Sequence, residues 1–239
     1  MLSGSEKYYD DIYATMGKDY VAEATRIHEL IQRYKRTDGN TLLDVACGTG
    51  THAGLLSEQY KVEGMDLNTN MLKVARKKHP GIHFTRSNMM DFDLGRQFDV
   101  VTCLFSAIGY MKTRSELHKA IQSMRRHLLP GGVLLVEPWF TPEQWNRGRV
   151  TTILVDKPDI KIVRMTRAGV KGKISVLDFQ YLVGTTKGIQ HIVEHHEFGL
   201  FSREEYRNAF TMAGLTVTYD PEGVDGRGLY IGIKQQMQQ

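Results

Sequence analysis

Apolar positions along the first 138 residues follow two alternating rhythms. Short apolar runs at Thr41 to Ala46, Lys61 to Leu67, Ile82 to Arg86, Phe98 to Leu104 and Val133 to Glu137 read as strands. Between them lie stretches with helical spacing, at Thr51 to Gln59, Asn68 to Lys78 and Thr113 to Leu128. An amphipathic helix from about Lys18 to Tyr34 precedes them, with Tyr20, Ala24, Ile27, Leu30, Ile31 and Tyr34 near one face. Turn signals fall between the units, at Thr37-Asp38-Gly39-Asn40, Pro80-Gly81 and Pro130-Gly131-Gly132. Strands that alternate with helices in this way pair in parallel and carry helices on both faces.

The rhythm breaks at Pro138. From Thr151 to Phe198 the chain alternates apolar and polar residues and is rich in β-branched side chains, with turns at Lys157-Pro158-Asp159, Gly169 to Gly172 and Gly184 to Gly188. These read as four antiparallel strands, inserted before the main sheet is finished. Ser202 then caps a helix through about Ala213, with Glu204 and Glu205 in its first turn and Gly214 just past its end. Leu215 to Tyr219 and Gly228 to Ile233 read as a terminal hairpin, and Gln235 to Gln239 as a frayed tail. The expected architecture is α/β: a doubly wound, mostly parallel seven-stranded sheet with a small inserted antiparallel β lobe. Residues 1–140 and 199–239 would form the main domain with an N-terminal helical cap, and residues 141–198 the lobe.

Composition narrows the classes. The chain has 239 residues, 41% hydrophobic and 24% charged, as ordinary globular domains do. The net charge of +4 is mild. The basic clusters Arg33-Tyr34-Lys35-Arg36 and Arg76-Lys77-Lys78 sit at helix ends, where cations complement the helix dipole, so no nucleic-acid partner is expected. Cys47 and Cys103 sit in apolar, strand-like surroundings and read as structural thiols. There is no signal-peptide pattern, and no apolar run reaches the roughly 18 residues of a membrane span, so a cytoplasmic protein with no membrane contact is expected. His191, His195 and His196 cluster without zinc-like spacing, so no metal site is expected.

Candidate chemistry centres on Gly48-Thr49-Gly50-Thr51-His52-Ala53, which fits G-x-G-x-x-[GA] between a strand and a helix. Such glycines permit a tight turn and close approach of a nucleotide-like ligand to backbone. Asp44, at the end of the preceding strand, discriminates between ligands. A dinucleotide would bring a pyrophosphate that this carboxylate repels, whereas S-adenosylmethionine brings an ammonium and a sulfonium. Asp66, ending the next strand, can accept both ribose hydroxyls of either ligand.

Leu43-Asp44-Val45-Ala46-Cys47-Gly48-Thr49-Gly50 resembles motif I of class I S-adenosylmethionine-dependent methyltransferases. Gly64-Met65-Asp66-Leu67-Asn68, with Met71, Leu72 and Ala75, resembles their acidic motif II, and Leu128-Leu129-Pro130-Gly131-Gly132 the segment before their fifth strand. The resemblance implies a Rossmann-like fold and S-adenosylmethionine as cofactor. It places Asp44, Ala46, Gly48, Gly50, Asp66, Leu67, Met71, Asn88, Met89 and Leu104 at that cofactor, although Met71 also reads as helix core. Many members carry Asp where this chain has Asn88.

A finer resemblance runs along nearly the whole chain. It is carried by Tyr9 and Tyr13, Gly17-Lys18-Asp19-Tyr20, Phe105-Ser106-Ala107-Ile108-Gly109-Tyr110, Val136-Glu137-Pro138-Trp139, Glu194-His195-His196 and Gly226-Arg227-Gly228-Leu229. These segments are similar to the N,N-dimethyltransferases of nucleotide-linked amino sugars, the desosamine and mycaminose type. Members carry a small antiparallel lobe in the same place and are generally dimers, which leaves a homodimer open here. The resemblance implies methylation of a small-molecule amine such as a dTDP-linked amino sugar, by in-line displacement with a neutral amine as nucleophile. Tyr9, Tyr13 and His196 are the candidate catalytic residues, each with a polar tip able to hold or deprotonate an amine; Tyr9 and Tyr13 also read as one packed helix face. His195 and His196 point to opposite faces of a strand, and the family pattern favours His196. Tyr110 and Trp139 are candidates to wall the acceptor pocket, and Arg227 either grips a diphosphate or forms a structural ion pair. The alternatives are a methyltransferase for an unrelated N- or O-acceptor, an NAD-dependent oxidoreductase, and a non-catalytic binding module.

Overall fold

A computed structural model describes residues 4–236, so the last three positions of the glutamine-rich tail lie outside the described residues. After a short 3-10 turn come α1 (Tyr9–Thr15) and α2 (Tyr20–Tyr34). The alternating half follows: β1 (Thr41–Val45), α3 (Thr51–Leu56), β2 (Lys61–Asp66), α4 (Thr69–Lys78), β3 (His83–Arg86), β4 (Phe98–Cys103), α5 (Arg114–Arg126) and β5 (Leu128–Val136). Four long strands come next, β6 (Val150–Lys157), β7 (Ile160–Lys171), β8 (Ile174–Thr185) and β9 (Gly188–Gly199). Helix α6 (Arg203–Met212) and strands β10 (Leu215–Asp220) and β11 (Leu229–Lys234) complete the chain.

The main sheet has seven strands in the order β3-β2-β1-β4-β5-β11-β10, parallel from β3 to β5, with β11 and β10 antiparallel. Successive residues of a strand face opposite sides, and the core divides accordingly. Leu43, Val101 and Leu134 face α5 and α6, through Ile121, Met124 and Phe210. Leu42, Val100 and Leu135 face α2, α3 and α4, through Ile27, Leu30, Leu56 and Leu72. Helix starts are set locally. Asp19 accepts the Ala22 N–H at 2.9 Å, and Thr113/Glu116 and Ser202/Glu205 form capping boxes at α5 and α6. Gly214 has φ +74 just beyond α6, the left-handed stop expected there.

The start of β5 differs from the sequence expectation. The strand begins at Leu128, paired with Phe98, and Pro130-Gly131-Gly132 lie inside it. The register slips between Phe98 and Val100, and Gly131 takes φ +83, so these residues form a bulge within the strand rather than a turn before it. Helix α3 also stops at Leu56, short of the expected Gln59. Cys47 lies in the loop after β1, not in a strand, and Cys103 ends β4; both thiols are free.

Strands β6 to β9 form a separate antiparallel sheet. Their registers put Val155, Ile162, Val183 and Ile192 on one face, where they pack under Tyr8 and Ile12 of the N-terminal segment. Farther along the same face stand Arg164, Thr166, Phe179, Tyr181, Glu194 and His196. This apolar end fixes α1 to the sheet, and the polar remainder is left to face the carboxyl ends of the main-sheet strands.

Candidate active site

The loop after β1 is built by backbone conformation. Ala46, Gly48 and Gly50 take φ of 58, 56 and 75, the left-handed region. A Cβ at Gly48 would stand in open space beside the cavity, whereas one at Gly50 would lie 3.0 Å from Phe84 Cζ and 3.2 Å from Ala75 Cβ. Gly48 thus leaves room for a ligand and Gly50 leaves room for α4 and β3. Asp66 ties the loop to β2: Oδ2 accepts the Gly48 N–H at 2.9 Å and Oδ1 the Asn68 N–H at 2.7 Å. Burial raises its carboxyl, against the pull of those N–H groups. Phe105 and Ser106, at φ 51 and 57, repeat the left-handed backbone at the end of β4. The Phe105 N–H is held by buried Glu137 at 2.7 Å. Such strain in non-glycine residues concentrates where a site is shaped, and here it flanks the cavity on two adjacent strands.

A cavity of about 1690 Å³ runs from this loop to the polar face of the four-stranded sheet. Tyr9 and Tyr13 pack with their tilted rings 4.6 Å apart, and both meet Phe105 edge to face, at 6.3 and 4.8 Å, in the cavity wall. Burial, with Tyr13 close by, raises the Tyr9 phenol well above its ordinary value, so it is neutral at physiological pH.

At the far end a buried polar chain begins at Glu194. Ser5 Oγ and Tyr181 Oη donate to its carboxylate, the latter at 3.1 Å, and His196 Nε2 lies 3.3 Å away. Burial alone would raise Glu194; the hydrogen bonds from His196, Ser5 and Tyr181 outweigh it and hold the carboxyl below the usual value. An ionised Glu194 only accepts, so Nε2 carries the proton. In the His196 tautomer protonated at Nε2, Nδ1 accepts from the Tyr110 hydroxyl, 3.0 Å away. Burial, with Tyr13 next in effect, raises Tyr110 as well, which keeps it a donor to His196 at the cavity wall. His195 is on the opposite face, exposed and bonded to Asp178 at 2.7 Å.

Of the residues singled out in the sequence, Tyr9, Tyr13, Ala46, Gly48, Asp66, Leu67, Met71, Asn88, Met89, Leu104, Tyr110, Trp139, His196 and Arg227 line this one cavity. Asp44 and Gly50 do not. Asp44 is buried beneath the loop and accepts from Thr102 Oγ1 at 2.8 Å. Burial pushes its carboxyl up to about 6, opposed by His52 and Thr102. The Arg227 fork is already taken. It pairs with Asp225 and Glu137 and lies 5.4 Å over the Phe105 ring, which favours the structural ion pair over a free diphosphate grip. Trp139 stacks on Phe198 at 4.5 Å and donates from Nε1 to Ser175 at 2.9 Å, joining the two sheets. The sequence reading missed Ser5, Tyr181 and Glu194. The two-residue alternation of β9 is the signal that puts Glu194 on the face of His196.

The fit to S-adenosylmethionine rests on the space at Gly48 and the carboxylate of Asp66 beside it, with Asn88 and Met89 lining the same end. Comparison with known proteins bears on this directly. Residues 42–132 match the model of a methyltransferase domain. The chain is 40% identical over 227 residues to a dTDP-3-amino-3,6-dideoxy-alpha-D-glucopyranose N,N-dimethyltransferase of Streptomyces fradiae, covering 94% of this chain and 89% of that protein. Among solved structures, DesVI of Streptomyces venezuelae superposes with a TM-score of 0.92 at 38% identity, covering 98% of this chain and 99% of that one. CalS10 of Micromonospora echinaspora, an amino pentose methyltransferase solved with S-adenosylmethionine bound, superposes at 0.86 with 36% identity, covering 95% and 96%.

Proposed function

We propose that this chain, which belongs to the S-adenosylmethionine-dependent methyltransferase family of the dTDP-amino-sugar N,N-dimethyltransferases, methylates the amine of a dTDP-linked amino sugar. Family membership sets aside the dinucleotide oxidoreductase and the non-catalytic module. The observation that carries the acceptor reading is the single cavity. At about 1690 Å³ it exceeds the roughly 300–1,000 Å³ of an ordinary small-molecule site, and so suits a cofactor and a nucleotide-sized acceptor together.

When bound, S-adenosylmethionine supplies an electrophilic methyl group on a sulfonium. Asp66 would hold the ribose hydroxyls, Gly48 would let the ligand lie against backbone, and Asp44 would set a negative potential beneath it. Tyr9, Tyr13 and Phe105 would exclude water where the two halves of the cavity meet and align the amine lone pair, the main requirement when the leaving group is already good. The Tyr110 oxygen would take an N–H of the amine as its own proton shifts to His196 Nδ1, leaving an imidazolium balanced by Glu194. A cytoplasmic, homodimeric enzyme is part of the proposal; among the described residues no helix is long and apolar enough to cross a membrane. Light scattering checks the dimer.

The deciding experiment incubates the protein with S-adenosylmethionine and a panel of dTDP-amino sugars and follows mass gain on nitrogen. Methylated amine is expected. Binding of S-adenosylhomocysteine with no methylation across the panel would assign the enzyme to another acceptor.

A further inference from the structure

The turn at the end of β4 is held by a buried carboxylate that takes no direct part in the methyl transfer described above. Glu137, the residue after β5, is fully buried and does not itself line the cavity. Its Oε2 accepts the Phe105 N–H at 2.7 Å, and its Oε1 faces Arg227 Nε at 3.4 Å. The Glu137 N–H donates to the Cys103 carbonyl at 3.0 Å, so main chain and side chain both fix this residue to the end of β4. Arg227 completes the set. It pairs with Asp225, donates from Nη1 to Ser106 Oγ at 3.2 Å, and lies 5.4 Å from the centre of the Phe105 ring. Ser106 Oγ in turn donates to the Pro138 carbonyl at 2.7 Å.

A carboxylate taken out of water is costly even when paired, and an apolar pair could fill the same space without that cost. Left-handed φ in non-glycine residues is costly too, and Phe105 and Ser106 are two such residues in succession. What the turn holds is the geometry of the acceptor site. The Phe105 ring stands at 86° to Tyr9 and 89° to Tyr13. The 3-10 turn Ala107–Tyr110 starts directly after Ser106, with the Gly109 N–H bonded to the Ser106 carbonyl at 2.9 Å. It ends at Tyr110, whose hydroxyl meets His196. A change of φ at Phe105 and Ser106 would therefore move the Phe105 ring and redirect the turn that carries Tyr110. Building on Phe105 and Tyr110 as residues that meet the acceptor amine, we infer that Glu137 is a positioning residue for the methyl transfer. Paired with Arg227, it holds the left-handed Phe105–Ser106 turn, and so sets Phe105 against the two tyrosines and Tyr110 against His196.

The test separates reach from charge. Glu137→Asp keeps the charge beside Arg227 but withdraws the carboxylate from the Phe105 N–H by one methylene. Glu137→Gln keeps the reach and an acceptor oxygen but loses the charge. Turnover of a dTDP-amino sugar is measured at saturating S-adenosylmethionine, per active site counted by S-adenosylhomocysteine calorimetry, so a partly unfolded preparation does not mimic the effect. Glu137→Asp is expected to lower kcat by about 100-fold, the scale of a displacement of roughly 1 Å at the reacting groups, with S-adenosylhomocysteine bound as before. Glu137→Gln is expected to retain most of kcat and to lose stability. In a chain already carrying Phe105→Ala and Tyr110→Phe, Glu137→Asp should lower kcat by less than about threefold, because the groups it acts through are gone. A wild-type kcat in Glu137→Asp, or an equal loss in Glu137→Gln, would overturn the assignment and leave the acceptor reading standing. A full further loss in the triple variant would route the effect of Glu137 through other groups and also overturn it. A wild type that binds S-adenosylhomocysteine yet methylates no dTDP-amino sugar would remove the acceptor reading, and this role with it.

Discussion

Replacing Asp44 with asparagine tests whether a buried carboxylate beneath the glycine loop is kept at a cost to the fold. Burial moves its carboxyl from an ordinary 3.8 to about 6. A carboxyl raised in the folded state binds its proton more tightly there than in the unfolded chain. Its contribution to stability is therefore present at low pH and is lost as pH rises through 6. For one group displaced from 3.8 to about 6, linkage gives a gain of ~1.4 kcal/mol for the folded state on going from pH 7.5 to pH 5. The amide of the variant cannot titrate. Its offset, including the hydrogen bond from Thr102 and any unpaired amide N–H, is the same at both pH values. Urea unfolding of both proteins at pH 5 and pH 7.5, without cofactor, yields a difference of differences in which titrating groups that do not interact with Asp44 cancel. The wild type should gain ~1.4 kcal/mol on the variant at pH 5. A difference that stays constant with pH would refute the raised carboxyl, and one of opposite sign would mean that Asp44 is stabilised as an anion by partners not identified in this fold.

Three further outcomes follow from the same geometry. Asp66→Ala removes the acceptor of the Gly48 and Asn68 N–H groups and the proposed ribose partner, and should weaken S-adenosylhomocysteine by about 1–3 kcal/mol in calorimetry; unchanged affinity would remove Asp66 from the cofactor site. His196→Ala and Glu194→Gln should leave that affinity intact and lower turnover, with the acid limb of the rate–pH profile altered in Glu194→Gln; a normal rate on the true acceptor excludes the relay. Gly50→Ala forces a Cβ at φ +75 to within 3.0 Å of Phe84 Cζ, and should cost roughly 1–3 kcal/mol in urea unfolding; a loss below about 0.5 kcal/mol would show that the α4 side of the loop yields easily.

Much of the fold was legible because one face or both faces of each element are buried, and burial writes periodicity into sequence. Leu42 and Leu43 enter opposite cores, so β1 reads as a continuous apolar run, while β6 to β9 alternate because only one face is covered on that side. Where backbone conformation replaces periodicity, the reading failed. Pro130-Gly131-Gly132 marks a bulge inside β5, and a turn before a strand would look the same in composition. The left-handed Ala46, Phe105 and Ser106 carry no glycine to announce them.

The site divides along the same line. The cofactor end is formed by loops at the ends of adjacent parallel strands, so its residues fall in short local motifs, and the glycines and Asp66 could be found from spacing alone. The acceptor end is assembled from α1, the end of β4 and the inner face of the inserted sheet, with Ser5 reaching Glu194 across 189 residues of chain. No local pattern encodes that convergence. What the sequence does hold is the parity of each strand. Once His196 is placed on the inner face of β9, Glu194 must share it, and the β8 and β7 registers carry Phe179, Tyr181, Arg164 and Thr166 onto the same wall. An alternating strand therefore assigns its polar residues as a set, and placing one of them on the inner face places the others.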